Sequence, residues 1–312
     1  MEEAEGSGTP AQPHHNRFPP NVVGGLWIIA SAIAFTAMMT LVKFLGNDYP
    51  AAVQSTYRQM ASLVMMAPII IHDPRGALAS RRPGLIILTM ALSTLGLVLS
   101  LYSYQLLPFA NANALSFSRI LWLVPLAALV LRERIGWMRG GAALTGFIGV
   151  TIMLEPSQGF HLGIGELAAL AASLMAAIVI ICMKTLMREH KLATIMAWSA
   201  TVGFLFSAIP ALFVWRWPSL VDFLLLAIMG VLGVATQASY IKGVSIGEAA
   251  AIVPLDYSRL LMAAAIGWLL FDEVPSSSTL IGGAVVIGST LILSWYEVRT
   301  YRAAEAIVAA QE

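Results

Sequence analysis

Charge is scarce in this chain. There are 18 lysines and arginines against 17 aspartates and glutamates, 11% of 312 residues, for a formal net charge of +1. A soluble domain carries about 25% charged residues. Here 58% of the residues are hydrophobic and the mean hydropathy is +0.80. A soluble core cannot bury that much apolar surface, so the expected solvent is lipid. The near-zero net charge argues against nucleic acid as a partner. Cys182 is the one cysteine, which leaves no disulfide framework. His14, His15, His72, His161 and His190 fall outside the apolar runs or at their ends, and no metal-ligand set can be drawn from them. No Gly-Lys-Ser or Gly-Lys-Thr loop is present, which argues against ATP hydrolysis of the Walker type. Neither a cofactor nor a metal is expected.

What fills the chain instead is apolar runs separated by short polar breaks. Their limits are 22–45, 51–71, 84–107, 109–131, 137–154, 163–186, 192–214, 220–241, 248–271 and 279–296. About 20 residues of helix cross a hydrocarbon core of about 30 Å. Membrane strands would be about half as long and would alternate apolar with polar, which these runs do not. The fold class expected is an all-α integral membrane protein with ten transmembrane helices. The acidic, Pro- and Gly-rich residues 1–21 lack the basic start and short apolar core of a secretory signal. They read as a disordered cytoplasmic tail, and residues 297–312 as a short amphipathic cytoplasmic tail.

Basic residues set the orientation. Arg17, Arg75, Arg81, Arg82, Arg132, Arg134, Arg139, Lys184, Arg188, Lys191, Lys242, Arg299 and Arg302 all fall on the side of the N-terminus; only Lys43 and Arg216 fall on the other. Both termini are therefore expected in the cytoplasm of a cell with a bacterial inner membrane.

The chain also repeats itself. Phe117-Ser118-Arg119-Ile120-Leu121 is matched by Tyr257-Ser258-Arg259-Leu260-Leu261, and Glu133 and Glu273 follow the two arginines at the same interval. Each half, 22–154 and 163–296, holds five runs. An odd number of crossings means that the second half enters the bilayer from the opposite side, so the halves are expected to be inverted copies. Aligning Tyr104 with Tyr240 needs extra residues near 252–255 in the second copy, and these include Pro254. A proline removes a backbone donor and bends a helix, so the ninth run is expected to bend just before Asp256.

Arg119 and Arg259 lie near the middle of their runs, roughly 15–17 Å deep at 1.5 Å per residue. A charge there costs about 2.5–3.5 kcal/mol even on a mild scale, and it normally faces a partner or a water-filled cavity. Inverted-repeat carriers place their substrate between the halves at this depth, and a guanidinium fork suits a carboxylate or phosphate. Asp256, one turn before Arg259, is an in-helix partner; its competing readings are a purely structural pair and a coupling proton site. Around the arginines, helical spacing gathers Ser116, Trp122 and Asn111, with Tyr257 beside Arg259. Tyr240 and Gln237 share a face of the eighth run, and Tyr104 is the counterpart of Tyr240 in the third. These ten residues are the expected substrate contacts, against the plainer reading of helix packing. Arg58, seven residues into the second run, is placed to snorkel toward the nearer interface. Glu166 and Glu248 are expected at span ends.

Glycines close each half: Gly140, Gly141, Gly146 and Gly149, then Gly282, Gly283 and Gly288. They let helix backbones approach, either within the chain or between the subunits of a homodimer.

Two five-helix repeats, each with a Ser-Arg fourth helix ending in Arg132-Glu133-Arg134 or Asp272-Glu273-Val274 and a Gly-rich fifth helix, resemble the EamA-type drug/metabolite transporter superfamily over residues 22–296. The resemblance implies an inverted-repeat carrier working by alternating access, with a central cavity lined by both halves. The expected function is secondary transport of a small organic solute, anionic or zwitterionic and amino-acid-like or cofactor-like, with membrane lipid as the surrounding partner. The competing classes are a multipass membrane enzyme acting on lipid and a channel. The loops are too short for the catalytic group an enzyme needs, and no ring of charges suggests a pore.

Overall fold

Prolines mark where helices begin. Pro50, Pro83 and Pro108 stand at helix starts, where a missing N–H goes unused. The computed structural model describes residues 20–46, 48–131, 137–153, 163–187, 189–246 and 253–309. The first half comprises α1 (Pro20–Phe44), α2 (Ala51–His72), a four-residue α3 (Pro74–Ala77), α4 (Pro83–Leu106), α5 (Phe109–Ser116), α6 (Arg119–Leu131) and α7 (Trp137–Met153). The second comprises α8 (Ile164–Leu186), α9 (Leu192–Phe213), α10 (Leu220–Ile246), a 3-10 turn (Val253–Tyr257), α11 (Ser258–Phe271) and α12 (Ser277–Ala309). All regular structure among the described residues is helical. Most of the N-terminal tail, the Arg132-Glu133-Arg134 segment and Glu248 lie outside them.

Among the described residues five helices are long and apolar enough to cross a membrane: Val22–Phe44, Pro83–Leu106, Ile164–Met183, Ala193–Phe213 and Leu220–Ile246. Two more, Gly140–Ile152 and Ser277–Ser289, are apolar but shorter. Four of the ten expected runs carry local features of their own. The second run forms one helix whose inner face carries the buried Gln54, Ser55, Thr56 and Gln59. The ninth run has its expected interruption, a 3-10 turn over Val253–Tyr257. The fourth run, expected to be continuous, breaks at Phe117 and Ser118. The last run and the tail are one helix to Ala309.

Helix pairing follows the repeat. α1 lies along α10 as α4 lies along α8, α6 touches α8 as α11 touches α1, and α2 meets α10 as α9 meets α4. α2 crosses α9, α5 crosses α11, and α7 lies along α12. The last pairing uses a glycine: a Cβ on Gly149 would stand 2.8 Å from the Gly282 carbonyl oxygen, while Gly146 lets α7 approach Leu121 of α6. Gly141 and Gly288 face open space.

Large apolar side chains remain exposed on the outside of the bundle, Leu26, Trp27 and Ile33 of α1 and Leu205, Phe206, Ile209, Leu212 and Phe213 of α9 among them. Polar groups turn inward: Gln54 is fully buried, and its amide donates to the carbonyls of Val42 (3.1 Å) and Tyr49 (3.0 Å). An apolar exterior, with the polar groups bonded inside the bundle, is the arrangement lipid demands.

Candidate functional site

The break in the fourth run has a side-chain cause. Ser116 Oγ donates to the Asn113 carbonyl (2.6 Å) and Ser118 Oγ to that of Leu115 (2.7 Å). Such back-bonding competes with the helical ladder, and the backbone tightens, with Phe117 N–H donating to Ala114 and Ser118 N–H to Leu115. In the ninth run Pro254 sits within the 3-10 turn. Both interruptions come immediately before an arginine, so Arg119 opens α6 and Arg259 lies at the start of α11.

The two arginines converge on one carboxylate. Arg259 donates to Asp256 Oδ2 at 2.5 Å, and Arg119, from the other half, reaches the same oxygen at 3.5 Å. The pair at Arg259 is closed from view, each side chain 7% exposed, whereas the Arg119 side chain is 31% exposed. Two cations share one anion, so the cluster carries an excess positive charge. Arg259 Nε also donates to the Asp256 carbonyl (3.3 Å), and Asn113 donates to the Arg259 carbonyl (3.5 Å). The Arg259 guanidinium lies over the rings of Phe35 (4.4 Å) and Phe117 (5.2 Å), where a cation is attracted by the ring faces.

Of the residues expected at the site, Tyr257 packs on its repeat partner Phe117 with ring centroids 4.8 Å apart. Tyr104 is fully buried, edge-on to Phe35 and Phe109. Its hydroxyl makes no hydrogen bond of ordinary geometry, with Ser116 and both arginines as polar neighbours. Trp122 donates to Ser173 Oγ (3.0 Å), which also meets Ser118 Oγ (2.8 Å), tying α6 to α8. Tyr240 lies within electrostatic reach of Arg259. Gln237 is exposed on α10. Asn111 turns elsewhere: its Oδ1 accepts from Thr279 of α12 at 2.7 Å. Phe35, Phe117, Asn113 and Ser173 belong to the cluster without having been expected there. Only Phe117 had a signal in the sequence, its alignment with Tyr257.

At one end of the bundle a second polar cluster joins the halves. Lys43, at the end of α1, pairs with Glu273 just after α11 and donates to the Leu107 carbonyl (2.7 Å). The other Glu273 oxygen accepts from Phe109 N–H (2.7 Å). Glu273 is aimed there because Asp272 ends α11 in the left-handed conformation (φ 52°) and Glu273 N–H caps the Gly267 carbonyl.

A sequence profile of the EamA-like transporter family matches residues 22–155 and again 163–295. The chain belongs to the EamA-like transporter family. An S-adenosylmethionine uptake transporter of Rickettsia prowazekii (strain Madrid E) is 29% identical over 275 residues, covering 88% of this chain and 93% of that protein. A riboflavin transporter of Brucella anthropi is 27% identical over 292 residues, covering 89% and 100%. A pseudopaline exporter of Pseudomonas aeruginosa is 23% identical over 277 residues, covering 87% and 95%. A solved crystal structure shares the fold at a TM-score of 0.61 and 15% identity, over 89% of this chain and 98% of the other. This EamA-like protein is thus a multi-pass membrane transporter of a small metabolite, and neither an enzyme nor a channel is favoured.

Proposed function

We propose that the protein is a secondary carrier of a carboxylate-bearing, anionic or zwitterionic metabolite, working by alternating access in a bacterial inner membrane. In this reading ten spans form two inverted repeats, 22–154 and 163–296, with both termini in the cytoplasm. The symmetric helix pairing and the distribution of lysine and arginine support it.

The observation that carries the substrate class is the inequality of the two arginines. Asp256 neutralises Arg259 at 2.5 Å and leaves Arg119, at 3.5 Å and partly exposed, with donors to spare. A solute carboxylate docking on Arg119 cancels the excess charge of the cluster, and the guanidinium fork can hold it bidentately. Tyr257, half-buried against Phe117 next to the arginines, offers ring surface to an aromatic portion. S-adenosylmethionine, the solute named for the Rickettsia relative, fits through its amino-acid carboxylate and aromatic base rather than through its net charge, which its sulfonium makes positive.

The test is thermal stabilisation of purified protein by S-adenosylmethionine, with riboflavin and amino acids alongside. A ligand at 100 times its Kd adds about 2.7 kcal/mol to stability. The expected result is stabilisation by a carboxylate-bearing compound that disappears in Arg119→Ala. Full stabilisation in Arg119→Ala would take the site away from the arginines.

A further inference from the structure

Arg58 is the third arginine in the apolar part of the chain, and it lacks what the other two have. At 1.5 Å per residue it lies about 10 Å along α2 from Ala51, toward the bundle end that carries Lys43 and Glu273. Its Nε is buried with no hydrogen-bond partner, and no ion pair joins it to a described acidic side chain. An arginine inside a membrane protein ordinarily pairs with a carboxylate or with carbonyls. Here the described chain supplies neither.

The side chain is not spread over lipid as expected of a snorkelling residue. It lies across Gly233 of α10, where an added Cβ would stand 2.7 Å from Nε and 3.1 Å from Cγ and Cδ. Gly230, one turn earlier, is held against the Tyr57 carbonyl and Ala61 in the same way. Two glycines therefore clear a seat for Arg58 between α2 and α10. Counting on along α10 by three, four and three residues, Gly230, Gly233, Gln237 and Tyr240 fall on one face. Gln237 is exposed on that face, within a helix apolar enough to span. An amide exposed there needs water, since hydrocarbon offers it no partner. Two turns beyond Gly233, about 10 Å by helix geometry, Tyr240 reaches the field of Arg259. A polar strip thus connects the unpaired arginine to the central cluster.

We propose that Arg58 is an anion-capture site at one mouth of the translocation path. It holds the carboxylate of the solute before the solute moves along the α10 face carrying Gln237 and Tyr240 to Arg119. The proposal rests on the carrier reading above, and its test separates the two.

Because Cys182 is the one native cysteine, a Cys182→Ala background lets single cysteines be placed at will. Arg58→Cys and Gln237→Cys are expected to react with a water-soluble anionic methanethiosulfonate, and faster than with its cationic counterpart, because the central cluster is positive. In vesicles, Arg58→Gln is expected to raise the KM for S-adenosylmethionine roughly tenfold with kcat little changed, and Arg58→Lys to stay near wild type. Labelling of Arg58→Cys by N-ethylmaleimide but by neither charged reagent would overturn the proposal and give Arg58 to a lipid phosphate instead. So would loss of uptake in Arg58→Lys as complete as in Arg58→Gln, which would make the arginine structural. Should the wild type take up no S-adenosylmethionine, the substrate reading fails by itself and the labelling decides the role of Arg58.

Discussion

Asp256 is the acceptor for both central arginines, and removing it should not resemble removing Arg119. The Asp256–Arg259 pair is almost wholly enclosed, and taking away one partner of such a pair costs about 3–5 kcal/mol because a buried charge is left alone. Asp256→Asn is therefore expected to lower the melting temperature sharply. Arg119→Ala, whose bond to Asp256 is long and partly exposed, is expected to change stability by about 1 kcal/mol or less while abolishing ligand stabilisation. Equal melting temperatures for the two variants would mean that Asp256 does not neutralise Arg259. These three residues were legible in the sequence, because a charge in an apolar run demands an explanation. Phe35 was not: its contact with Arg259 joins positions far apart in the chain, and nothing in a phenylalanine within an apolar run distinguishes a cation's partner from core.

Helical spacing misplaced Asn111, and the reason lies in the element. Counting back two turns from Arg119 assumes one continuous helix, but the break at Phe117 and Ser118 resets the phase between α5 and α6, so Asn111 faces Thr279. Pro254 announced the twin break; serines announced this one only weakly, since they also sit unremarked in membrane helices. Ser118 Oγ bonds both the Leu115 carbonyl and Ser173, and Ser118→Ala should cost about 1–2 kcal/mol from two net hydrogen bonds. Circular dichroism melts read that loss, and an unchanged melt would show that the break does not depend on the hydroxyl. The glycine-rich helices were legible as sites of close approach, and the structure distributes that role unevenly. Gly149→Val drives a side chain into the Gly282 backbone and should destabilise the α7–α12 contact by about 1–3 kcal/mol. Gly141→Val meets nothing within 4 Å and should be tolerated. The same loss in both variants, measured by thermal unfolding, would contradict this division.

Across the whole molecule the two ends of the bundle are braced alike at the periphery. At one end Tyr49 donates to Asp222 (2.9 Å); at the other Arg82 pairs with Glu189 (3.0 Å) and Ser80 meets His190 (3.1 Å). The two contacts are counterparts under the repeat, the α1–α2 loop meeting the start of α10 at one end and the segment after α8 meeting the segment before α4 at the other, so they hold the halves together without favouring either end. The Lys43–Glu273 pair is different, because it ties the end of α11 to α1 and to the junction of α4 and α5. In the proposed orientation this end faces outward, and opening it to a solute must part Lys43 from Glu273. Both side chains are largely shielded, 12% and 24% exposed, so the pair is worth more than a surface bridge. Lys43→Glu and Glu273→Lys are each expected to place like charges together and to increase labelling of a cysteine at position 58. The double variant Lys43→Glu/Glu273→Lys restores opposite charges and should recover part of the closure. Recovery stays incomplete because Phe109 N–H then faces an ammonium that cannot accept its hydrogen bond, and the Leu107 carbonyl faces a carboxylate that cannot donate to it. A double-mutant cycle on melting temperature should return a coupling of about 0.5–3 kcal/mol. Additivity of the two changes would mean that the ion pair closes nothing, and that closure at this end rests on the Glu273 contact with the Phe109 backbone alone.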